Sequence, residues 1–428
     1  MKNTLFLLLI ILIGCQQPQY KTSDYTVIQD LEQLIEKQNY FMLKQVFEAQ
    51  KDKLSKDHEL YFKAIIFNVF NNLEESNSVI DEIINQKIIH LSDTILNSVY
   101  NTKLLNHINL YEYSEAALTS EIILDEYRHL NDSTEIETLN NELKIWKSLR
   151  NTPKQEIIRN RDVSFPMVRD KIGLFNVDVT INDTIQNFIF DTGANISVIK
   201  RSLIKNLGLT YIESDFYVSA FTGQRVDSDL AIAETLRIGE LTFKNVVFLV
   251  LNDEDISFPQ IDYYINGIIG FPVIEAMEEI RISKNDTIYV PQNPVEYNLS
   301  NFALDGLTPI IALNYKEDTL SFGFDTGARA TTLYSPFYEK YKSEVDTNYD
   351  LQKFKSSGAG GIIEFEGYII EDIDLKVGGS IARLKNLQLH KNKIGTEDNN
   401  LYGNLGQDFI KHFDEMIISF KNSSVVFK

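Results

Sequence analysis

The chain has 428 residues, 43% of them apolar and 24% charged, so it is too long for one ordinary domain and apolar enough to build more than one core. Lys plus Arg is 41 against 61 Asp plus Glu, a net charge of −20, and no Lys- or Arg-rich run offers a track for phosphates. The composition therefore argues against nucleic acid as a partner.

The N-terminus reads as an address. Met1, Lys2 and Asn3 make a short positive region, "LFLLLIILI" at 5–13 is apolar throughout, and "LIGC" closes the segment at Cys15, the only cysteine of the chain. The apolar run is too short to cross a bilayer as a mature helix. Residues 12–15 resemble a bacterial lipobox, in which a small residue precedes a cysteine that is lipidated and becomes the new N-terminus. The expectation is a signal peptide over 1–15, a lipid on Cys15, and a protein tethered to the bacterial cell envelope at the outer membrane, the periplasmic face or the cell surface. A plain secretory signal, or a buried apolar segment, is the competing reading.

Between Pro18 and Pro153 there is no proline, and between Gly14 and Gly173 no glycine. Such a gap is what helices joined by polar turns leave behind. Apolar residues recur at helical spacing, as at Val27, Leu31, Leu34 and Ile35 or at Ala116, Ile122, Ile123 and Tyr127. With "NN" at 71–72 and "LND" at 130–132 as punctuation, residues 16–152 are predicted to fold as about six or seven helices. Stacked antiparallel hairpins, similar to a tetratricopeptide-type solenoid, are expected, although no clean 34-residue repeat is present. Such a module offers a surface for a protein partner.

After "NTPKQ" the pattern changes. Nineteen of the 20 glycines lie from Gly173 onward, and short β-branched runs such as "NVDVTI", "NFIF", "NVVFLVL" and "EGYIIEDIDLKV" predict strands. "PQNP" at 291–294 divides this part into halves that match each other. "INDTIQNFIFDTGA" ending at Ala194 pairs with "YKEDTLSFGFDTGA" ending at Ala328, "LRIGE" at 236–240 with "LKVGG" at 375–379, and "GIIGFPVIEAMEEIRIS" from Gly267 with "GNLGQDFIKHFDEMIIS" from Gly403. The sequence contains an internal duplication. The composition break ahead of it predicts a helical part and a β part that fold separately, each with its own core.

One Asp-Thr-Gly is weak, because an ordinary turn after a strand carries the same residues. Two copies at the same place in matched repeats call for chemistry that needs two acids. Carboxylates held within a few ångströms share one proton: the ionised member can deprotonate water while the protonated member polarises a carbonyl. Phe190 and Phe324 would deliver each Asp to an apolar floor, and Gly193 and Gly327 let the backbone turn closely behind it. Thr192 and Thr326 offer hydroxyls that could tie the two loops together.

On these motifs, residues 163–428 resemble the aspartic proteases of the pepsin and retropepsin fold, in the single-chain, two-lobed form. With the helical reading of 16–152, this gives an α-helical domain followed by the bilobal β acid-protease fold that the resemblance implies, with lobes at 163–292 and 295–428 and a six-stranded sheet. The resemblance further implies that Asp191 and Asp325 are catalytic and that Thr192, Gly193, Thr326, Gly327, Ile269, Gly270, Leu405 and Gly406 support their loops. Ser219, Ala220, Phe221, Thr222 and Gly223, and Ser357, Gly358, Ala359 and Gly360, would form hairpin flaps over a peptide or protein substrate. No metal and no cofactor is implied.

Four residues depart from the family pattern. Ala194 and Ala328 stand where pepsin-like enzymes carry Ser or Thr, so each Asp lacks a hydroxyl donor, which raises its pKa. Arg329 replaces a small polar residue, and Asn404 fills a normally apolar slot. These two keep open a different reading, a peptide-binding scaffold in which the protease fold survives without catalysis. Other chemistry is thin: the six histidines form no His-x-x-x-His pair, and no Gly-x-Ser-x-Gly elbow or Gly-Lys-Ser/Thr phosphate loop is present.

Overall fold

The computed structural model describes residues 21–85, 91–219, 223–358, 361–395 and 400–428. Cys15 and the apolar segment before it lie outside the described residues, as do Ala220, Phe221, Thr222, Ala359 and Gly360.

Seven α-helices come first among the described residues: α1 (Tyr25–Glu36), α2 (Tyr40–Gln50), α3 (Lys56–Val69), α4 (Leu73–Asn85), α5 (Asp93–Asn109), α6 (Tyr113–Glu126) and α7 (Ser133–Leu149). Their starts carry side-chain acceptors for the orphan N–H groups of a first turn, at Asp24, Ser55 and Ser92, and at Asp132, which forms a reciprocal box with Glu135. The α1–α2, α3–α4 and α5–α6 hairpins each turn on a residue with positive φ, Gln38, Asn71 and Tyr111. The uneven spacing of these three tips is why the sequence shows no clean repeat.

All three tips point into the β part. Ser321 Oγ donates to the Gln38 carbonyl at 3.0 Å, Asn71 Nδ2 donates to Glu275 Oε1 at 2.9 Å, and Tyr111 OH donates to the Pro272 carbonyl at 2.8 Å. The contact is also apolar. One core cluster joins α1–α5 to Ala303, Ile310 and Leu401, and a second joins Leu143, Trp146 and Leu149 of α7 to Phe216, Leu230 and Leu249. The expectation of two separate cores is thus corrected: the helices share cores with both halves of the repeat. Where they dock, the sheet includes a segment buried at every position, Val246 to Leu251, as happens when both faces are covered.

Each half of the duplication builds its own sheet around the same local topology. The strand ending at the first pentapeptide, Thr184–Phe190, pairs in parallel with Gly267–Ile269, which pairs antiparallel with Ser197–Lys200. Its counterpart, Asp318–Phe324, pairs in parallel with Gly403–Leu405, which pairs antiparallel with Thr332–Leu333. A third sheet joins the halves by pairing Glu279–Ser283 with Glu415–Ser419. Among the described residues it has five strands, not six. The outer edge of its last strand is closed by a side chain instead: Asn301 Nδ2 donates to the Val425 carbonyl at 2.9 Å and its Oδ1 accepts from Val425 N at 2.8 Å. This amide satisfies both outward groups of Val425, while Phe302 N and Ser380 Oγ donate to the Ser423 and Phe427 carbonyls on the same edge at 3.1 and 2.8 Å.

Candidate active site

The two parallel pairings bring both Asp residues to the line where the halves meet. Asp191 N donates to the Ile269 carbonyl at 3.0 Å and Asp325 N to the Leu405 carbonyl at 3.1 Å, so each acid sits on the end of a central ladder. Phe190 and Phe324 behind them are buried. Aromatic rings run across the junction below: Phe271 of the first half packs on Phe420 of the second at 5.7 Å, Phe420 on Phe302 at 5.8 Å and Phe302 on Phe324 at 6.4 Å.

The loops are bonded to each other through their threonines. Thr192 N donates to Thr326 Oγ1 at 3.1 Å and Thr326 N to Thr192 Oγ1 at 3.0 Å, while each hydroxyl donates onward to the carbonyl of the opposite phenylalanine, Phe324 or Phe190. Both threonines are buried, so these four bonds have no water competing for them.

The two carboxyls stand close enough to act on one another. Burial first, then the adjacent Asp325 carboxyl, hold Asp191 well above the ordinary carboxylate range, against the pull of the Gly193 and Gly327 N–H groups. Asp325 has the richer donor set. Its Oδ1 accepts from Gly327 N at 2.7 Å and Ala328 N at 2.9 Å, and its Oδ2 from Asn404 Nδ2 at 3.2 Å, whereas the Asp191 loop supplies Gly193 N at 2.8 Å.

The shared shape of the two loops follows from the space available. A Cβ on Gly193 would lie 2.7 Å from Asp325 Cγ, and one on Gly327 2.3 Å from Asp191 Cγ. Gly270 and Gly406 press against the backs of the same loops, where a Cβ would meet Ala194 O at 2.6 Å and Ala330 C at 2.7 Å. Ile269 and Leu405 are fully buried beside them.

Asn404 and Gly323 are one unit. They stand opposite each other across the second ladder where Ile268 and Ile189 stand in the first, and any Cβ at 323 would meet Asn404 Oδ1 at 2.7 Å. The small residue makes room for the amide that reaches Asp325. Arg329 is exposed and lies towards Lys411, whose pKa it helps to lower after burial and Arg169.

Of the predicted flap residues, Ser219 ends the strand Thr210–Ser219, which pairs with Arg225–Ile238, and Gly223 has φ +80°. A Cβ at Gly223 would lie 3.7 Å from the Cα of Gly395, so this hairpin reaches the other half of the repeat. Ser357 and Gly358 lie on the strand Gln352–Gly358, facing Ile362 and Gly361 across a second hairpin.

Further supporting residues escaped the sequence reading. Ser197 Oγ accepts from Gly270 N at 3.0 Å and Thr331 Oγ1 from Gly406 N at 3.1 Å. Gln407 Nε2 donates to the Thr326 carbonyl at 2.8 Å, and Arg169 ties Gln407 to the first half. Ser197 and Thr331 occupy the same place in the two copies, so extending the repeat comparison past the pentapeptides would have found them.

A protein-family model described as "Aspartyl protease" matches residues 177–273, from the strand Phe175–Ile181 to the short helix Phe271–Glu275 behind the Asp191 loop. No curated protein sequence matches the chain. The first half is therefore an aspartic-protease-like domain, and the second repeats its loop geometry about the shared pair of acids.

Proposed function

We propose that the chain is an aspartic endopeptidase that cleaves extended polypeptides, with Asp191 and Asp325 as its catalytic residues. The observation that carries this reading is the pair of carboxyls, contributed by equivalent loops that are bonded to one another through Thr192 and Thr326 where the two halves meet. In the reaction, the ionised carboxylate takes a proton from a water whose oxygen attacks the scissile carbonyl carbon, and the protonated carboxyl donates to the carbonyl oxygen. The tetrahedral diol then collapses, the C–N bond breaks, and the leaving amine carries away a proton from the pair. The substrate lies as a strand beneath the two hairpins, held by main-chain hydrogen bonds.

Cleavage profiling tests the proposal. The lipid-free protein and its Asp191→Asn variant are each incubated with an unfolded proteome, and new termini are counted. Wild type should create termini that the variant does not; equal patterns from both would sink the reading.

Gly327→Ala offers a second check with the carboxyls intact. Its methyl would collide with the Asp191 carboxyl, which neighbouring bonds prevent from retreating, so hydrolysis should fall at least about 100-fold while circular dichroism stays unchanged. An Ala variant of near wild-type rate would mean that the loops do not approach so closely.

The envelope location forms part of the same proposal and rests on the lipobox-like "LIGC". Cys15→Ser should move the protein from the membrane fraction to the soluble fraction without changing its melting temperature. Retention of the Ser variant on membranes after a high-salt wash would remove Cys15 as the anchor.

A further inference from the structure

The hairpin Thr210–Ser219/Arg225–Ile238 is unlike the hairpin of the second half in what lies against it. Thr210–Ser219 is the last strand of its sheet, so its outward N–H and C=O groups have no strand to pair with. Helix α7 takes that place. Asn141 Oδ1 accepts from Tyr217 N at 3.1 Å and Asn141 Nδ2 donates to the Tyr217 carbonyl at 2.8 Å, so one side-chain amide pairs the strand edge as a neighbouring residue would.

Two more residues on the same face of α7 flank this bond. One turn earlier, Glu137 accepts from Tyr217 OH at 3.1 Å and pairs with Arg225 at 2.6 Å, and the Arg225 guanidinium covers the Tyr217 ring at 4.3 Å. One turn later, Lys144 Nζ donates to the Asp215 carbonyl at 2.9 Å, beside the irregularity between Ile212 and Phe216 where the strand bends. Beneath them Phe216 is buried in a cluster with Leu143 and Trp146.

In the second hairpin the described side chains pack within their own half. Its Lys355 pairs with Glu364 across the hairpin, Phe354 stacks on Phe365, and Phe365 packs on His390 of the same half. Residues 352–355 and 364–367 make no hydrogen bond or ion pair with the helices.

We infer that α7 is the positioning element of the first hairpin, with Asn141 as its principal contact: it fixes one wall of the substrate channel. The inference rests on the peptidase reading of the cleft. Asn141, Glu137 and Lys144 act through the hairpin and touch no reacting atom.

The test uses the full-length protein and follows both amide exchange at Tyr217 and steady-state hydrolysis. Asn141→Ala should raise Tyr217 exchange and KM roughly tenfold each, the loss of about one net hydrogen bond, with kcat within about twofold of wild type. Asn141→Asp keeps the acceptor for Tyr217 N and should fall between. Glu137→Gln, which preserves shape if the Ala variant misfolds, should shift both readouts in the same direction by a smaller factor. Unchanged exchange at Tyr217 in a folded Asn141→Ala protein would overturn the clamp whatever the activity. Raised exchange with unchanged KM would overturn its role in positioning substrate. Absence of hydrolysis in wild type would defeat the peptidase reading instead, and the exchange measurement would still decide whether α7 holds the hairpin.

Discussion

Asp191→Asn and Asp325→Asn should each lower kcat/KM by about 10⁴-fold or more, because Asn keeps the shape of the carboxyl while removing the proton exchange on which the pair depends. The double variant should be scarcely worse than either single one, since the two acids act as a unit. Wild type should show a bell-shaped pH dependence set by two apparent pKa values of the pair, with its alkaline limb displaced towards neutrality by the raised pKa of Asp191. Stability should respond in the opposite sense to activity. With its pKa raised in the folded state, Asp191 contributes stability that is fully present below the ordinary carboxyl pKa and is lost as pH rises through the raised value. Asp191→Asn removes that loss, so its melting temperature at neutral pH should equal or exceed that of wild type. Substantial activity in Asp325→Asn would mean that the second half is structural and that catalysis uses Asp191 from two chains.

Removing residues 1–152 should have the largest effect on folding. Phe216, Leu230, Leu249 and Ile310 are buried in clusters completed by the helices, and uncovering them costs up to about 1.5–3 kcal/mol for each large side chain. Four such losses approach the roughly 5–15 kcal/mol that holds a domain folded. A protein beginning near Asn160 is therefore expected to aggregate, or to keep strand content while losing fixed packing. Circular dichroism and analytical ultracentrifugation check this. A soluble, monomeric fragment with a cooperative melt would show that the shared clusters are dispensable.

The helices could be read from the sequence because a stretch without Gly or Pro leaves few alternatives. The paired acids could be read because both copies of the pentapeptide survived. Docking of the helices was harder, yet it left a trace in "NVVFLVL": the strand Leu241–Leu251 is buried at every position from Val246 to Leu251, as happens when both faces of a sheet are covered. Asn301 in place of a sixth strand was invisible, because an Asn after "NLS" reads as loop until its register against Val425 is known. Asn404 was noticed as an anomaly, but its meaning required Gly323, and only strand pairing puts those two residues face to face.

The exchange of Ile189 and Ile268 for Gly323 and Asn404 also bears on polarity. A strand has an N-to-C direction, and a cleft made of two identical halves offers the same contacts to a strand and to its reverse. Here one half presents an amide to its carboxyl and the other has isoleucine at the equivalent place, so the two threading directions are no longer equal in energy. On the proposed peptidase reading, divergence after duplication gives the channel a sense of direction, something a symmetric dimer of single lobes cannot possess.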